Sequence, residues 1–186
     1  MQTSPSYGTV YYDFNCSAEP VNNVLVRKAI CLAIDRQSII DNVVQVDAQP
    51  AYSFLAPGYS VDGKDITEGR ESFGLSATAD VEGAQAALAE AGYPNGEGFP
   101  TLELLYYESG SNSQIAEAVQ QMWKENLGIT VNLKVEEYAV FANTRSSGNY
   151  TLDITGWSAD YNDPMTMLSL FTANGVNNAR WRYKEY

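Results

Sequence analysis

From residue 80 onward the apolar residues switch repeatedly between a period of 3.6 and a period of two, and few folds accept a chain that alternates in this way. Val81, Ala84, Leu88 and Ala91 share one face of an Ala-rich helix, with Gly92 where a left-handed residue is wanted at its end. Tyr93-Pro94-Asn95-Gly96 makes a turn. Leu102, Leu104, Leu105 and Tyr106 then read as a strand. Ile115, Ala118, Val119, Met122 and Trp123 form the buried stripe of a helix that stops near Asn126-Leu127-Gly128, and residues 129–135 alternate as a second strand. This is a β-α-β unit, for which parallel strands and a right-handed crossover are the rule. A further helix is predicted over residues 137–144, ending before Gly148, and then a strand over residues 151–156. Asp163 and Pro164 form an N-cap and N1 pair opening a last helix, with Met167, Leu168 and Phe171 inward. The class is α/β, a mixed sheet flanked by helices.

The first 79 residues are less regular. Residues 8–15 read as a β-branched and aromatic strand. Asn23 is the N-cap of a helix in which Val26, Ala29, Ile30, Ala33 and Ile34 line one face, and a short helical turn carries Ile39, Ile40 and Val43. Residues 45–79 are rich in Gly, Pro, Ser and acids without a sustained period, which predicts a long surface excursion. With 186 residues the chain is expected to form a single domain over residues 1–186.

Charge and the missing residue types restrict the chemistry. Eleven Lys and Arg against 23 Asp and Glu give a net charge of −12, which disfavours a nucleic-acid partner. There is no histidine, so Ser-His-Asp and Cys-His catalysis and imidazole metal sites are excluded. Residues 37–123 hold thirteen acids against Lys64 and Arg70, an acidic solvated surface. Cys16 and Cys31 form no metal-ligand spacing and read as two separate half-buried thiols, with a disulfide between them the alternative that sequence leaves open. No glycine-rich loop lies between a strand and a helix, so no cofactor or metal is expected. Glu136 and Glu137 read as helix-start acids rather than as a catalytic pair. The three-residue sequons at Asn15 and Asn149 are weak signals on strand-like sequence. Met1 is followed by neither a basic nor an apolar leader.

Bottom-up, the segment from Trp157 to Asp160 stands out. It lies where a strand gives way to a loop, the place where open α/β sheets bind ligands. A large ring beside a carboxylate suits a cationic organic group. The plainer reading, a tryptophan closing the core at a strand end, stands beside it.

Several segments together carry a family likeness. Phe14-Asn15, Asn22-Asn23-Val24-Leu25-Val26-Arg27-Lys28-Ala29-Ile30 and Ala33-Ile34-Asp35-Arg36 are followed by Ala89-Glu90-Ala91-Gly92-Tyr93-Pro94 and by the stretch over residues 115–129 with Trp123. Phe141, Arg145 and Gly156-Trp157-Ser158-Ala159-Asp160-Tyr161-Asn162-Asp163-Pro164 complete the order. This resembles the oligopeptide- and dipeptide-binding proteins that serve ABC importers, the extracellular solute-binding proteins of family 5. The resemblance implies a type II periplasmic-binding-protein lobe, the C-terminal one of a two-lobed receptor. That lobe would begin near the hinge and stop in a late helix over residues 180–186, with the N-terminal lobe, the lipoprotein signal and the C-terminal tail absent. It implies an extracytoplasmic receptor and not an enzyme, lipid-anchored or periplasmic, which hands oligopeptides to an ABC transporter permease. It also implies site residues: Asp160 for the peptide ammonium, Trp157, Ser158 and Tyr161 beside the first peptide residues, and Arg145 close by. Asn112 and Ile154 stand where some relatives have histidine and arginine, which leaves capture of a terminal carboxylate open. A receptor of the same fold for an oligosaccharide or nickel chelate, and a carboxylate-based hydrolase, are the alternatives.

Overall fold

The protein was analysed as a computed structural model that describes residues 8–44, 47–69, 72, 74–161, 163–172 and 175–181. Four strands form its main sheet: β1 (Gly8–Phe14), β4 (Leu102–Tyr107), β5 (Val131–Glu136) and β6 (Leu152–Ser158), in the spatial order β1-β6-β4-β5. β4 runs parallel to β5 and to β6, whereas β1 lies antiparallel to β6 at the edge. A two-stranded ribbon of β2 (Ser60–Val61) and β3 (Lys64–Asp65) sits apart from this sheet.

The sheet is covered on both faces because its strands alternate two apolar sets. Leu102, Leu104, Tyr106, Leu152 and Ile154 join the main core with α1 (Val24–Leu32), α3 (Val81–Glu90) and α4 (Asn112–Leu127). Leu105 and Tyr107 point the other way and pack with Phe141 of α5 (Tyr138–Ser147) and with Tyr150. α4 is the crossover between parallel β4 and β5, as the alternating pattern requires. Its Trp123 is wholly buried, donates its indole N–H to Ile30 O at 2.9 Å and meets the Tyr12 ring edge-on. This joins α1, α4 and β1 with the indole donor satisfied.

The helix ends follow the sequence signals. Asn23 and Asp80 accept from backbone N–H groups of the first turns of α1 and α3. Glu137 does the same for α5, and Gly128 and Gly148 close α4 and α5 in the left-handed conformation. Cys16 and Cys31 are free, partly buried thiols. The Asn15 amide donates to Gly148 O and Tyr150 O and is buried, so its side chain is committed to holding the chain after α5.

Three sequence expectations need correction. The excursion over residues 45–79 is not merely superficial: Leu55 and Tyr59 are buried against Met167 in a second small core. The last helix, α6 (Met165–Leu168), makes one turn, and although Met167 is inward, Leu168 is 36% exposed. The chain then tightens into a 3-10 turn over Ser169–Phe171, where Phe171 is half-buried against Phe54, so of the three residues Leu168 alone faces outward. Arg180 and Trp181 are not helical, and the rest of the helix expected over residues 180–186 falls outside the described residues, as does Asn162.

Candidate functional site

Alternation along β1 and β6 puts an unusual set of side chains on the α5 face of the sheet. Asp13 is paired directly across from Asp153, Tyr11 from Thr155 and Thr9 from Trp157. Both aspartates are buried, each the one charged residue of its strand. Like charges facing across strands repel, so something must answer them. Arg145, in the last turn of α5, does so: its Nε donates to Asp153 Oδ2 at 2.7 Å and its Nη2 to Asp13 Oδ2 at 2.8 Å. The guanidinium also lies 5.5 Å from the centre of the Phe141 ring.

The electrostatics follow from burial. Loss of water pushes the Asp153 carboxyl up to about 7 against the pull of Arg145, and the Asp13 carboxyl is raised for the same reason. Burial works against the Arg145 charge, but its two carboxylate partners outweigh that and raise its pKa. The Tyr11 hydroxyl, also desolvated, moves up to about 12.

A cavity of about 130 Å³ opens beside this cluster, with Tyr11, Asp13, Arg145, Thr155 and Trp157 among its walls and Tyr107, Tyr138 and Phe141 adding aromatic surface. It lies towards the carboxyl ends of β4 and β6, where ligands of open α/β sheets bind. Trp157 is half-buried, packed against the small core of Leu55, Tyr59 and Met167. Beyond it, Ser158 ends β6 and is exposed, as are Asp160 and Tyr161 in the following loop. The loop is anchored where the Asp160 backbone N–H donates to the buried Thr166 Oγ1 at 3.0 Å.

Of the residues singled out from sequence, Arg145 and Trp157 meet in one cavity. Ser158, Asp160 and Tyr161 follow Trp157 on the chain without lining it, and none of them is covered. Asn112 opens α4 and donates from Nδ2 to Tyr107 O at 3.0 Å, tying the helix to the end of β4. Ile154 is buried in the main core on the opposite face from Asp153. Sequence reasoning passed over Asp13, Asp153, Tyr11 and Thr166. A lone charge inside an otherwise uncharged strand was the available signal for the first two. Among the described residues no group of three His, Cys, Asp or Glu is placed to hold a metal ion.

Comparison with known proteins gives a consistent answer. Residues 1–179 match the family described as bacterial extracellular solute-binding proteins, family 5 Middle. The oligopeptide-binding protein OppA of Bacillus subtilis is 35% identical over the whole chain, which spans 34% of that relative. Salmonella typhimurium periplasmic OppA is 37% identical over 96% of the chain and 32% of its own length. The crystal structure of a periplasmic oligopeptide-binding protein, OppAIV, from Borrelia burgdorferi superposes with a TM-score of 0.81 at 38% identity, over 96% of this chain and 34% of that one. The chain thus spans about a third of the length of these relatives. A mixed sheet with helices on both faces, a site at the strand ends and these matches agree: the chain belongs to family 5 of the bacterial extracellular solute-binding proteins.

Proposed function

We propose that the chain is the C-terminal, ligand-binding lobe of an extracytoplasmic oligopeptide receptor that delivers peptides to an ABC transporter permease. The observation that carries this reading is the uncovered Asp160 carboxylate, held by the Thr166 anchor directly beyond Trp157 and the aromatic cavity at the strand ends. An exposed carboxylate beside aromatic surface suits the ammonium terminus of a peptide, with the rings supplying contact area. The relatives named as oligopeptide-binding support the same ligand class. A second lobe would close over this face and exclude water, which strengthens the charge contact. The receptor binds and releases its ligand and does not transform it, and it works in the periplasm or at the outer cell surface.

The test compares peptides with free and N-acetylated termini on the complete receptor, before and after Asp160→Asn. A charge-assisted hydrogen bond contributes about 1.5–3 kcal/mol, so the substitution weakens free peptides about ten- to more than a hundredfold. Acetylated peptides bind the unaltered receptor poorly and lose little more on substitution. Equal losses for both would make Asp160 scaffolding. The isolated chain, with half of a cleft, binds peptides far more weakly than the complete receptor, and calorimetry giving it micromolar affinity for a random peptide pool would contradict the two-lobed reading.

A further inference from the structure

The cavity beside Trp157 contains an arginine, and a cleft arginine invites the reading that it receives a carboxylate. The hydrogen bonds argue otherwise. Arg145 gives Nε to Asp153 and Nη2 to Asp13, and its side chain is 13% exposed. Two carboxylates on one guanidinium leave the cluster with an excess negative charge wherever both are ionised, which for Asp153 is above about pH 7. The second oxygen of Asp153, Oδ1, is buried with no hydrogen-bond partner among the described residues. An acidic group entering the cavity would have to displace one aspartate from Arg145, leaving it buried and uncompensated, or lie against that excess charge. Either route is costly. The remaining walls are mostly aromatic or aliphatic, and exposed Tyr138 and Val176 stand among the lining residues. Such walls accept an apolar stem, and a cationic head over rings is favourable.

We propose that this cavity is a side-chain subsite that takes uncharged or basic residues and turns away acidic ones, with Asp13 and Asp153 as the specificity-determining pair acting through Arg145. The inference rests on the peptide-receptor reading and adds to it the charge class of the residue accepted. Asp13 itself lines the cavity, so its negative charge is close to any occupant.

The experiment uses the complete receptor above about pH 7, where the Asp153 carboxyl is ionised, and a short alanine peptide carrying Gln, Glu or Lys at each position in turn, with affinities read by calorimetry. Gln and Glu have nearly the same shape, so their ratio isolates charge. At the position that fills the cavity, Gln and Lys bind about tenfold or more tighter than Glu. Asp13→Asn, which leaves the cluster neutral, narrows the Gln-to-Glu ratio about threefold or more, and Asp153→Asn does the same. Gln and Glu within about twofold at every position would overturn the proposal even though peptides bind. So would a ratio that is unchanged in a variant whose thermal unfolding shows it folded. A folded receptor that binds none of the peptides removes the parent reading and the subsite together. The ratio in the unaltered receptor is decisive even where neither variant folds.

Discussion

Asp13 and Asp153 face each other across β1 and β6, and Arg145 reaches both from α5, so one side chain ties the consecutive elements α5 and β6 to the distant β1. Removing it costs more than the ion pairs are worth, because two buried carboxylates are left without a partner. Arg145→Ala is expected to destabilise the fold by about 3–5 kcal/mol in equilibrium unfolding. A loss below about 1 kcal/mol would mean that water already reaches the cluster. The same burial fixes a pH dependence. Asp153 titrates from an ordinary 3.8 up to about 7 in the folded chain. Between those values the folded state holds a proton that the unfolded state has released. The contribution of this group is therefore most favourable near pH 4, declines as pH rises through the window and is constant above about 7. Asp153→Asn removes that slope. Melting temperatures of the variant should gain on those of the parent as pH rises from about 4 to 7, and a constant difference would show that the carboxyl is not raised.

At the scale of elements, two turns are pressed back to back. Gly96, in the turn after α3, has φ +77° and Gly128, at the end of α4, has φ +70°. A Cβ at Gly96 would stand 2.6 Å from Leu127 O, and one at Gly128 would stand 2.6 Å from Asn95 O. Gly98 is also left-handed, but a Cβ there meets nothing within 4 Å. Alanine at 96 or 128 thus adds a backbone clash to conformational strain, an expected loss of about 1–3 kcal/mol, while Gly98→Ala costs about 1 kcal/mol or less. Chemical denaturation of the three variants checks the order. α1, α3, α4 and the four strands of the main sheet were legible in sequence because each is long enough to show its period, whereas the two-residue strands β2 and β3 were not. The start of α6 was legible from Asp163 and Pro164, but not its extent, because after Leu168 the chain tightens into a 3-10 turn over Ser169–Phe171. Leu55 and Tyr59 gave no signal because their burial depends on Met167, far away along the chain, within an aperiodic stretch. The Asp13 and Arg145 contact, spanning 132 positions, is set by strand register and by no local pattern. Trp157 and Asp160 were singled out by their place at a strand end, whereas the cavity that Trp157 lines is assembled from elements distant in sequence and had to be folded to be seen.

Among the described residues, burial is divided among the main core, the Leu105, Phe141 and Tyr150 cluster under α5, and a small satellite around Met167 beside the candidate site. Thr9 Oγ1 donates to Phe54 O at 3.0 Å, and Phe54 meets the Tyr11 ring at 4.8 Å and the Phe171 ring at 4.7 Å, each edge-on. Leu55 and Tyr59 rest on Met167, and Trp157 completes the cluster from the end of β6. The 47–69 segment thus reaches the site walls through contacts that do not involve Trp123 or the α1–α3–α4 face. A small cluster with few members opens more readily than the main core, so damage there should remain local. Met167→Ala deletes a wholly buried side chain at its centre, a change that costs about 2–5 kcal/mol where the cavity cannot collapse. The expected outcome is a protein whose Trp157 indole resonance shifts and broadens while that of Trp123, bonded to Ile30 O, keeps its position. Limited proteolysis should then cut first near the Ser60–Asp65 ribbon, and peptide affinity of the complete receptor should fall with Trp157 no longer held. Simultaneous loss of both indole signals in a single unfolding step would show instead that the satellite and the main core form one cooperative unit, and that the site has the same stability as the rest of the fold.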